Sequence, residues 1–188
     1  MSDDADRLPL PGFVSWPIFP FEGDMRVREV TPRRSEDYPR DGEPGGSPCG
    51  SCAAPDSDYI WVDEHWRVKP PITPSGAPVL LFLESRDHLD LDDLDDDLAA
   101  ELGIFIVRLD RAIQSIGGIG RVHVNRWGDG GSHLHLWFYG RPRGDTQMIG
   151  FCLPLWAQTL PPTPEDEWNR NLAAIATELA RHGGRSMR

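Results

Sequence analysis

Apolar side chains recur at helical spacing over a long stretch in the middle of the chain. Between residues 94 and 116 they return every three or four positions, which predicts an amphipathic helix with one buried face. This stripe consists of Leu94, Leu98, Leu102, Phe105, Leu109, Ala112 and Ile116. Carboxylates from Asp92 to Asp97 fall in the first turn, where the helix dipole favours negative charge, so we interpret the acidic run as capping. Gly117-Gly118 ends the helix.

Other segments predict a second helix and three early strands. The helix spans Pro164–Arg181 and stops at Gly183. Its apolar stripe consists of Trp168, Leu172, Ile175 and Leu179. Tyr59–Val62 and Trp66–Val68 are short β-type segments on either side of a turn, and Val79–Leu83 is a continuous apolar run typical of a buried strand.

Two further strands, Arg121–Trp127 and His133–Gly140, are joined by a glycine-rich turn over residues 128–132. Successive side chains of a strand point to opposite faces, so each strand has an aliphatic face and a polar and aromatic face. The second face collects His123, Asn125, Trp127, His133, His135, Trp137 and Tyr139. We expect the aliphatic face to pack under the long helix. The predicted fold is α+β, an antiparallel sheet with a long helix on one face and a C-terminal helix.

Proline and glycine set the expected domain organisation. The 188 residues fit one domain, and 13 of the 18 Pro and 7 of the 19 Gly lie in the first 80 positions. We expect residues 1–48 to form an extended Pro/Gly-rich arm that ends in a flexible linker, Asp41–Pro48. Residues 49–188 then form the domain.

Charge and hydropathy limit the partners. The formal net charge of −11 argues against a broad surface for nucleic acid or anionic membranes, although a small anionic substrate still fits a locally positive pocket. No apolar run approaches the roughly 20 residues that span a bilayer. The acidic start Met1–Asp4 lacks the pattern of a secretory signal, so a cytoplasmic location is expected. Whether the chain forms a homodimer is left open.

Four side chains could bind a metal ion. Cys49 and Cys52 form a C-x-x-C pair, His88 follows the buried strand, and His133 begins the last predicted strand. Two thiolates and two imidazoles are a common tetrahedral zinc set. Three alternatives stay open. The cysteines could have neither a metal nor a redox role, or they could form a redox pair, although Pro48 and Gly50 argue against the helix that such a pair needs. A single ion could also be held by His133 and His135.

The order of these motifs resembles the histidine-triad superfamily. Cys49-x-x-Cys52, a buried strand ending in Arg86-Asp87-His88, an amphipathic helix, Asn125, a glycine-rich turn and Ser132–Trp137 follow one another along about half of the chain. The pattern is most similar to the zinc-binding branch shared with the hexose-1-phosphate uridylyltransferases.

This resemblance implies a division of labour among the motif residues. Cys49, Cys52, His88 and His133 would bind a structural zinc ion. His135 would attack the α-phosphorus of a nucleotide or nucleotide conjugate, forming a covalent nucleotidyl-histidine, as in a nucleotide hydrolase or nucleotidyltransferase. Asn125 and Ser132 match polar positions that in the family hold ribose and phosphate or orient the nucleophile. Beside the resemblance, the residue types indicate that Gly130, Gly131, Arg126 and Trp137 also contribute to substrate binding.

Trp137 departs from the family pattern. Hydrolases of the superfamily carry a third histidine there, and the uridylyltransferases carry glutamine, whereas an indole donates one hydrogen bond and cannot shuttle a proton. The proton could come from His123 on the neighbouring strand, or the leaving group could depart without one. The alternative function is a catalytically degenerate nucleotide-binding or interaction protein stabilised by zinc.

Overall fold

A single antiparallel sheet of six strands organises the computed structural model, which describes residues 8–188. The strands are β1 (Trp61–Val62), β2 (Trp66–Lys69), β3 (Val79–Ser85), β4 (Ile119–Asn125), β5 (His135–Pro142) and β6 (Arg185–Ser186). They lie in the order β4-β5-β3-β2-β1-β6. The helices are α1 (Gly50–Ala53), α2 (Asp96–Ser115), α3 (Cys152–Thr159) and α4 (Glu165–Ala180). The predicted α+β class, with its long helix and C-terminal helix, is confirmed.

The core lies between the aliphatic face of the sheet and the helices α2 and α4. Leu81 and Leu83 of β3 face Phe138 and Leu136 of β5 across the ladder, as the alternation predicts. Leu81, Leu83, Phe138, Leu109, Ile113, Leu172 and Ile175 are all at most 1% exposed. Gly140 of β5 lies where α2 crosses the sheet. The space for a side chain is tight there, because an added Cβ would lie 3.1 Å from Val79 and 3.3 Å from Ile113.

Capping determines where α2 begins and ends. The Asp95 carboxylate accepts a hydrogen bond from the Leu98 N–H at 2.9 Å, and Asp96 and Asp97 occupy the first turn. Gly117 and Gly118 take positive φ values of 78° and 68° directly after the helix. The capping interpretation is therefore confirmed for Asp95–Asp97, whereas Asp92 and Asp93 lie in a separate 3-10 turn, Leu91–Asp93, before the helix.

The structure differs from the sequence prediction at several boundaries. β5 begins at His135, two residues after the predicted start, because residues 131–134 leave the sheet to bond with other loops, such as Leu134 N–H to Leu89 O at 2.7 Å. β4 ends at Asn125, so Trp127 lies in the following loop. The sequence analysis did not predict α3 and β6, because eight and two residues are too short for a clear period.

The arm packs on the domain at two places. Near its start, Phe13 stacks edge-on against Phe151 and the Trp156 indole donates to the Ile18 carbonyl at 2.7 Å. Further along, Asp41 forms an isolated parallel bridge with Gly131. Asp41, the first residue of the segment expected as a flexible linker, is thus hydrogen-bonded to the domain. The expectation about Met1–Asp4 lies outside the described residues.

Asp90 attaches the arm to the domain through ion pairs. Its carboxylate accepts from Arg40 of the arm at 2.6 Å and from Arg126 after β4. Burial disfavours the ionised form, but the hydrogen bonds from Arg40, the Leu91 N–H and Arg126 outweigh it and lower the pKa of Asp90. In residues 8–188, no helix combines the length and apolar character needed to cross a membrane.

Asp90→Asn is expected to destabilise the fold by about 2 kcal/mol at pH 7, because two guanidinium groups lose their anion. Since the folded pKa lies below the unfolded value of about 3.9, the contribution is present above that pH and is lost as the pH falls through the folded pKa. Urea unfolding between pH 7 and pH 3 should therefore show a smaller acid loss in the variant. Asp166→Asn removes an exposed pair with Arg170 and serves as the control, with no measurable change. Equal losses in both variants would contradict this assignment.

Candidate functional site

The four predicted metal ligands meet at one point. One donor atom each from Cys49, Cys52, His88 and His133 lies within 4.8 Å of all the others. Cys49 Sγ is 3.4 Å from His133 Nδ1, and Cys52 Sγ is 3.2 Å from His88 Nδ1. A tetrahedral zinc ion places sulfur and nitrogen donors about 3.5 Å apart. The donor set and its spacing therefore fit zinc.

Hydrogen bonds orient both imidazoles of this Cys2His2 cluster. His133 is 3% exposed, and its Nε2–H donates to the Ser85 carbonyl at 2.8 Å, so Nδ1 is left free to face the sulfurs. Nε2 of His88 lies 3.3 Å from the Ser132 hydroxyl. Burial lowers the pKa of His133, which favours the neutral form that binds metals.

The one-turn helix α1 presents the two sulfurs. Cys49 is its N-cap, and its Sγ accepts from the Cys52 N–H at 3.4 Å. The sequence argument against a redox pair was therefore wrong in one respect, since a helix does begin at the first cysteine. The imidazoles beside both sulfurs nevertheless favour a metal site over a dithiol.

The arm closes one side of the Cys2His2 cluster at Gly42. This residue has a φ of +95°, and an added Cβ would lie 2.6 Å from His88 Cε1 and 2.7 Å from Ser132 Oγ. Ser132 N–H also donates to the Asp41 carbonyl at 3.0 Å. Only glycine fits this approach, so the arm contributes directly to the surroundings of the ligands.

A cavity of about 1210 Å³ runs along the polar face of the sheet beside the cluster and reaches the start of α4. His133, His135 and Trp137 contribute to its wall, together with Lys69, Phe82 and Glu84 from β2 and β3. His133 and His135 thus reach the same cavity. The metal-binding cluster among the described residues does not include His135, which argues against a single ion held by both imidazoles.

The His135 imidazole is held in one tautomer. Its Nδ1 lies 2.8 Å from the His133 carbonyl oxygen, which can only accept, so Nδ1 carries the proton. The lone pair is then on Nε2. His135 is partly exposed and lines the cavity, so this nitrogen is available to an electrophile.

Trp137 is packed among aromatic side chains. Its ring makes edge contacts with Phe82 at 4.5 Å and with Trp127 at 5.3 Å between centroids. The indole N–H is buried and has no acceptor within residues 8–188. Trp137 lines the cavity, so an unpaired buried donor lies next to the space that a ligand could occupy.

The remaining predicted residues are placed differently. Gly131 lines the cavity, whereas Gly130 accepts a hydrogen bond from the Asp41 N–H. Ser132 is buried, and its hydroxyl donates to the Asp41 carbonyl at 3.1 Å. Arg126 forms an ion pair with Asp90, and Asn125 lies opposite Trp137 in the sheet. Asn125, Arg126, Gly130 and Ser132 are not part of the cavity lining.

His123, the proposed proton source, lies opposite Tyr139 in the ladder, four residues along β5 from His135. Strand geometry puts such positions roughly 13 Å apart. Burial and the charge of Arg141 lower the pKa of His123, so it is mostly neutral near pH 7. Both facts make His123 a poor acid for chemistry at His135.

Lys69 and Glu84 are cavity residues that the sequence analysis did not select as site residues. Lys69 Nζ lies 2.8 Å from Glu84 Oε1, and the Tyr59 hydroxyl donates to Glu84 Oε2 at 3.0 Å. Glu84 is the ladder partner of His135. Burial and the Glu84 charge raise the pKa of Tyr59, which keeps the phenol protonated. Two features of the sequence could have pointed to these residues: Lys69 is the single lysine of the chain, and Glu84 directly follows an apolar strand.

Solved structures of similar fold were found in several bacteria. A histidine triad protein from Bradyrhizobium japonicum is 22% identical, with a TM-score of 0.53, and the match covers 64% of this chain and 89% of that one. A zinc-bound histidine triad family protein from Mycobacterium smegmatis is 22% identical, with a TM-score of 0.52 over 71% of this chain and 96% of the other. A histidine triad protein from Marinobacter aquaeolei is 19% identical, with a TM-score of 0.52 over 65% and 88%.

Sequence comparison adds no closer relative. No protein-family model matches the chain, and no curated protein matches it. The likeness to the three structures lies in the arrangement of sheet and helices, and each is covered over most of its own length. The resemblance predicted from the motifs is therefore confirmed at the level of the fold: this chain has the histidine-triad fold.

Proposed function

We propose that this protein is a nucleotide hydrolase or nucleotidyltransferase that works through a covalent nucleotidyl-histidine on His135. The observation that carries the proposal is the 2.8 Å hydrogen bond from His135 Nδ1 to the His133 carbonyl. It leaves the Nε2 lone pair free at the wall of a cavity of about 1210 Å³, which has room for a nucleotide. The nucleotide class of the substrate follows from the resemblance of the motifs.

The reaction proceeds in two displacements at phosphorus. Nε2 of His135 first forms a bond to the α-phosphorus, and the bond to the leaving oxygen breaks with its electron pair on that oxygen. The cationic imidazole keeps its Nδ1–H on the His133 carbonyl, which stabilises the charge. The acceptor oxygen, from water or a second substrate, then attacks phosphorus, its proton passes to solvent, and the N–P electron pair returns to Nε2.

The other predicted residues divide between binding and positioning. We assign Gly131 and Trp137 to substrate binding, because both residues line the cavity. Ser132 acts as a positioning residue through its contact with His88. Asn125, Arg126 and Gly130 lie outside the lining, so they bind substrate only where it extends beyond the cavity.

Zinc would be held by Cys49, Cys52, His88 and His133, and it would supply structural cross-linking of the arm, α1 and the loop before β5. All four donors point at one another, which leaves no open position for a reactant. His133 connects the metal ligands with the proposed nucleophile, because its carbonyl orients the His135 imidazole. The metal therefore supports the nucleophile without contacting phosphorus.

Elemental analysis of the purified protein should give about one zinc per chain. Cys49→Ser is expected to lose the metal and to melt at a lower temperature, since binding of a structural zinc contributes to folding free energy. The matched control is Cys152→Ser, because Cys152 is a buried thiol outside the cluster and its replacement should leave zinc content unchanged. A metal-free wild type with unchanged melting in Cys49→Ser would refute the zinc site.

Incubation with labelled nucleoside mono-, di- and triphosphates, dinucleoside polyphosphates and nucleotide sugars tests the nucleophile. The wild type should acquire an acid-labile label, and His135→Ala should acquire none. The other histidine of the cavity wall, His133, belongs to the Cys2His2 cluster and cannot replace it as nucleophile. His182→Ala is the control, since His182 is exposed and lines a separate cavity. Label retained by His135→Ala would remove His135 as the nucleophile.

The second candidate function is nucleotide binding without catalysis. The observation in its favour is Trp137, whose indole replaces a group able to exchange protons. The same panel separates the two functions. Binding without label or turnover in both the wild type and His135→Ala supports the binding protein and excludes the enzyme.

A further inference from the structure

The cavity beside His135 has little positive charge of its own. Among the described residues that line it, the cations besides the histidines are Lys69 and Arg188, while Asp41, Asp58, Glu84 and Glu165 are acidic. Arg40 and Arg126 are both bound to Asp90 outside the lining. Lys69 is thus the cation whose position is tied to the nucleophile, through Glu84, the ladder partner of His135.

The Lys69 ammonium is held in place with one donor to spare. It has three N–H groups, of which one points to Glu84 Oε1 at 2.8 Å and one to Ser51 Oγ at 3.5 Å. Glu84 is 3% exposed, and its second oxygen is occupied by the Tyr59 hydroxyl. The buried carboxylate therefore fixes the lysine against the wall. Within residues 8–188 the third N–H has no oxygen acceptor, and the Tyr59 ring centroid lies 5.5 Å from Nζ.

Among residues 8–188, neither Trp137 nor His123 can act as a general acid for a leaving group at His135. Trp137 cannot shuttle a proton, and His123 lies far along β5 with a lowered pKa. A leaving group that departs from phosphorus here must therefore be stable as an anion without protonation. Phosphate and pyrophosphate meet this condition, and their charge needs a cation close to the departing oxygen.

We propose that Lys69 is a specificity-determining residue that binds the phosphate group beyond the phosphorus attacked by His135. It selects substrates whose leaving group is a phosphate-bearing anion, such as nucleoside di- and triphosphates and other pyrophosphate-linked nucleotides. In the first displacement the N–P bond forms, the bridging P–O bond breaks, and the departing phosphate keeps the electron pair, offset by the ammonium. This inference rests on the proposed function and names its substrate class.

The test compares two substrates of one nucleoside that differ only in the leaving group: the 5′-triphosphate and the 4-nitrophenyl ester of the 5′-monophosphate. The variant is Lys69→Met combined with Glu84→Gln, which removes both members of the Lys69–Glu84 ion pair. We expect kcat/KM for the triphosphate to fall about 10- to 100-fold, as for loss of a hydrogen bond to a charged group. The value for the aryl ester should change less than about threefold, because its leaving group carries no phosphate.

Lys69→Arg is the matched control, because it keeps a positive charge at the same place and should keep most of the preference for the triphosphate. An unchanged preference in the double variant would overturn the assignment of Lys69. Equal losses with both substrates would overturn it as well, since they indicate a general structural effect.

Calorimetric binding of inorganic pyrophosphate separates this inference from the proposed function. If the wild type forms no covalent label but binds pyrophosphate, and the double variant does not bind it, the enzyme proposal fails and the role of Lys69 stands. If labelling of His135 is normal and both proteins bind pyrophosphate equally, the role of Lys69 fails and the enzyme proposal stands.

Discussion

The architecture of the site depends on the bonds made by one buried residue, His133. Its Nε2 donates to the Ser85 carbonyl at the end of β3, its Nδ1 faces the sulfurs of α1, and its carbonyl oxygen accepts from His135. These contacts tie the sheet, the Cys2His2 cluster and the cavity wall to one loop. The hydrogen bond from His135 Nδ1 to the His133 carbonyl fixes the tautomer of His135. The position of His133 in the cluster therefore also determines which nitrogen of His135 carries the lone pair.

The arm is part of this arrangement, although it precedes the predicted domain. Asp41 pairs with Gly131 in the loop before β5. Gly42 lies so close to His88 and Ser132 that the Cβ of a larger residue would clash with both side chains. Ion pairing of Arg40 with Asp90 holds the same segment from outside. The boundary at residue 48 therefore separates regions of different composition, while the site draws on both.

Basic and acidic side chains have different roles in this strongly acidic protein. The net charge is −11, yet the chain places its single lysine at the cavity wall and orients it by a buried glutamate. Several arginines instead hold the fold together, as at Asp90. With tryptophan in place of a proton-exchanging group at 137, the phosphate chemistry that we propose for this cavity would depend on the charge and hydrogen-bond donors of the wall.

Local order and residue type were predictable from the sequence. The stripe of α2, its aspartate caps and its two glycines are local properties, as are the alternating faces of β4 and β5, so both were read correctly to within a few residues. The spacing of Cys49 and Cys52 with two histidines likewise indicated the metal ligands. Tertiary structure alone decided that Lys69 and Glu84 flank His135, that Ser132 turns toward His88, and that the arm closes the cluster. Those facts depend on which strands become neighbours and on where loops meet, and sequence periodicity carries no information about contacts between segments far apart in the chain.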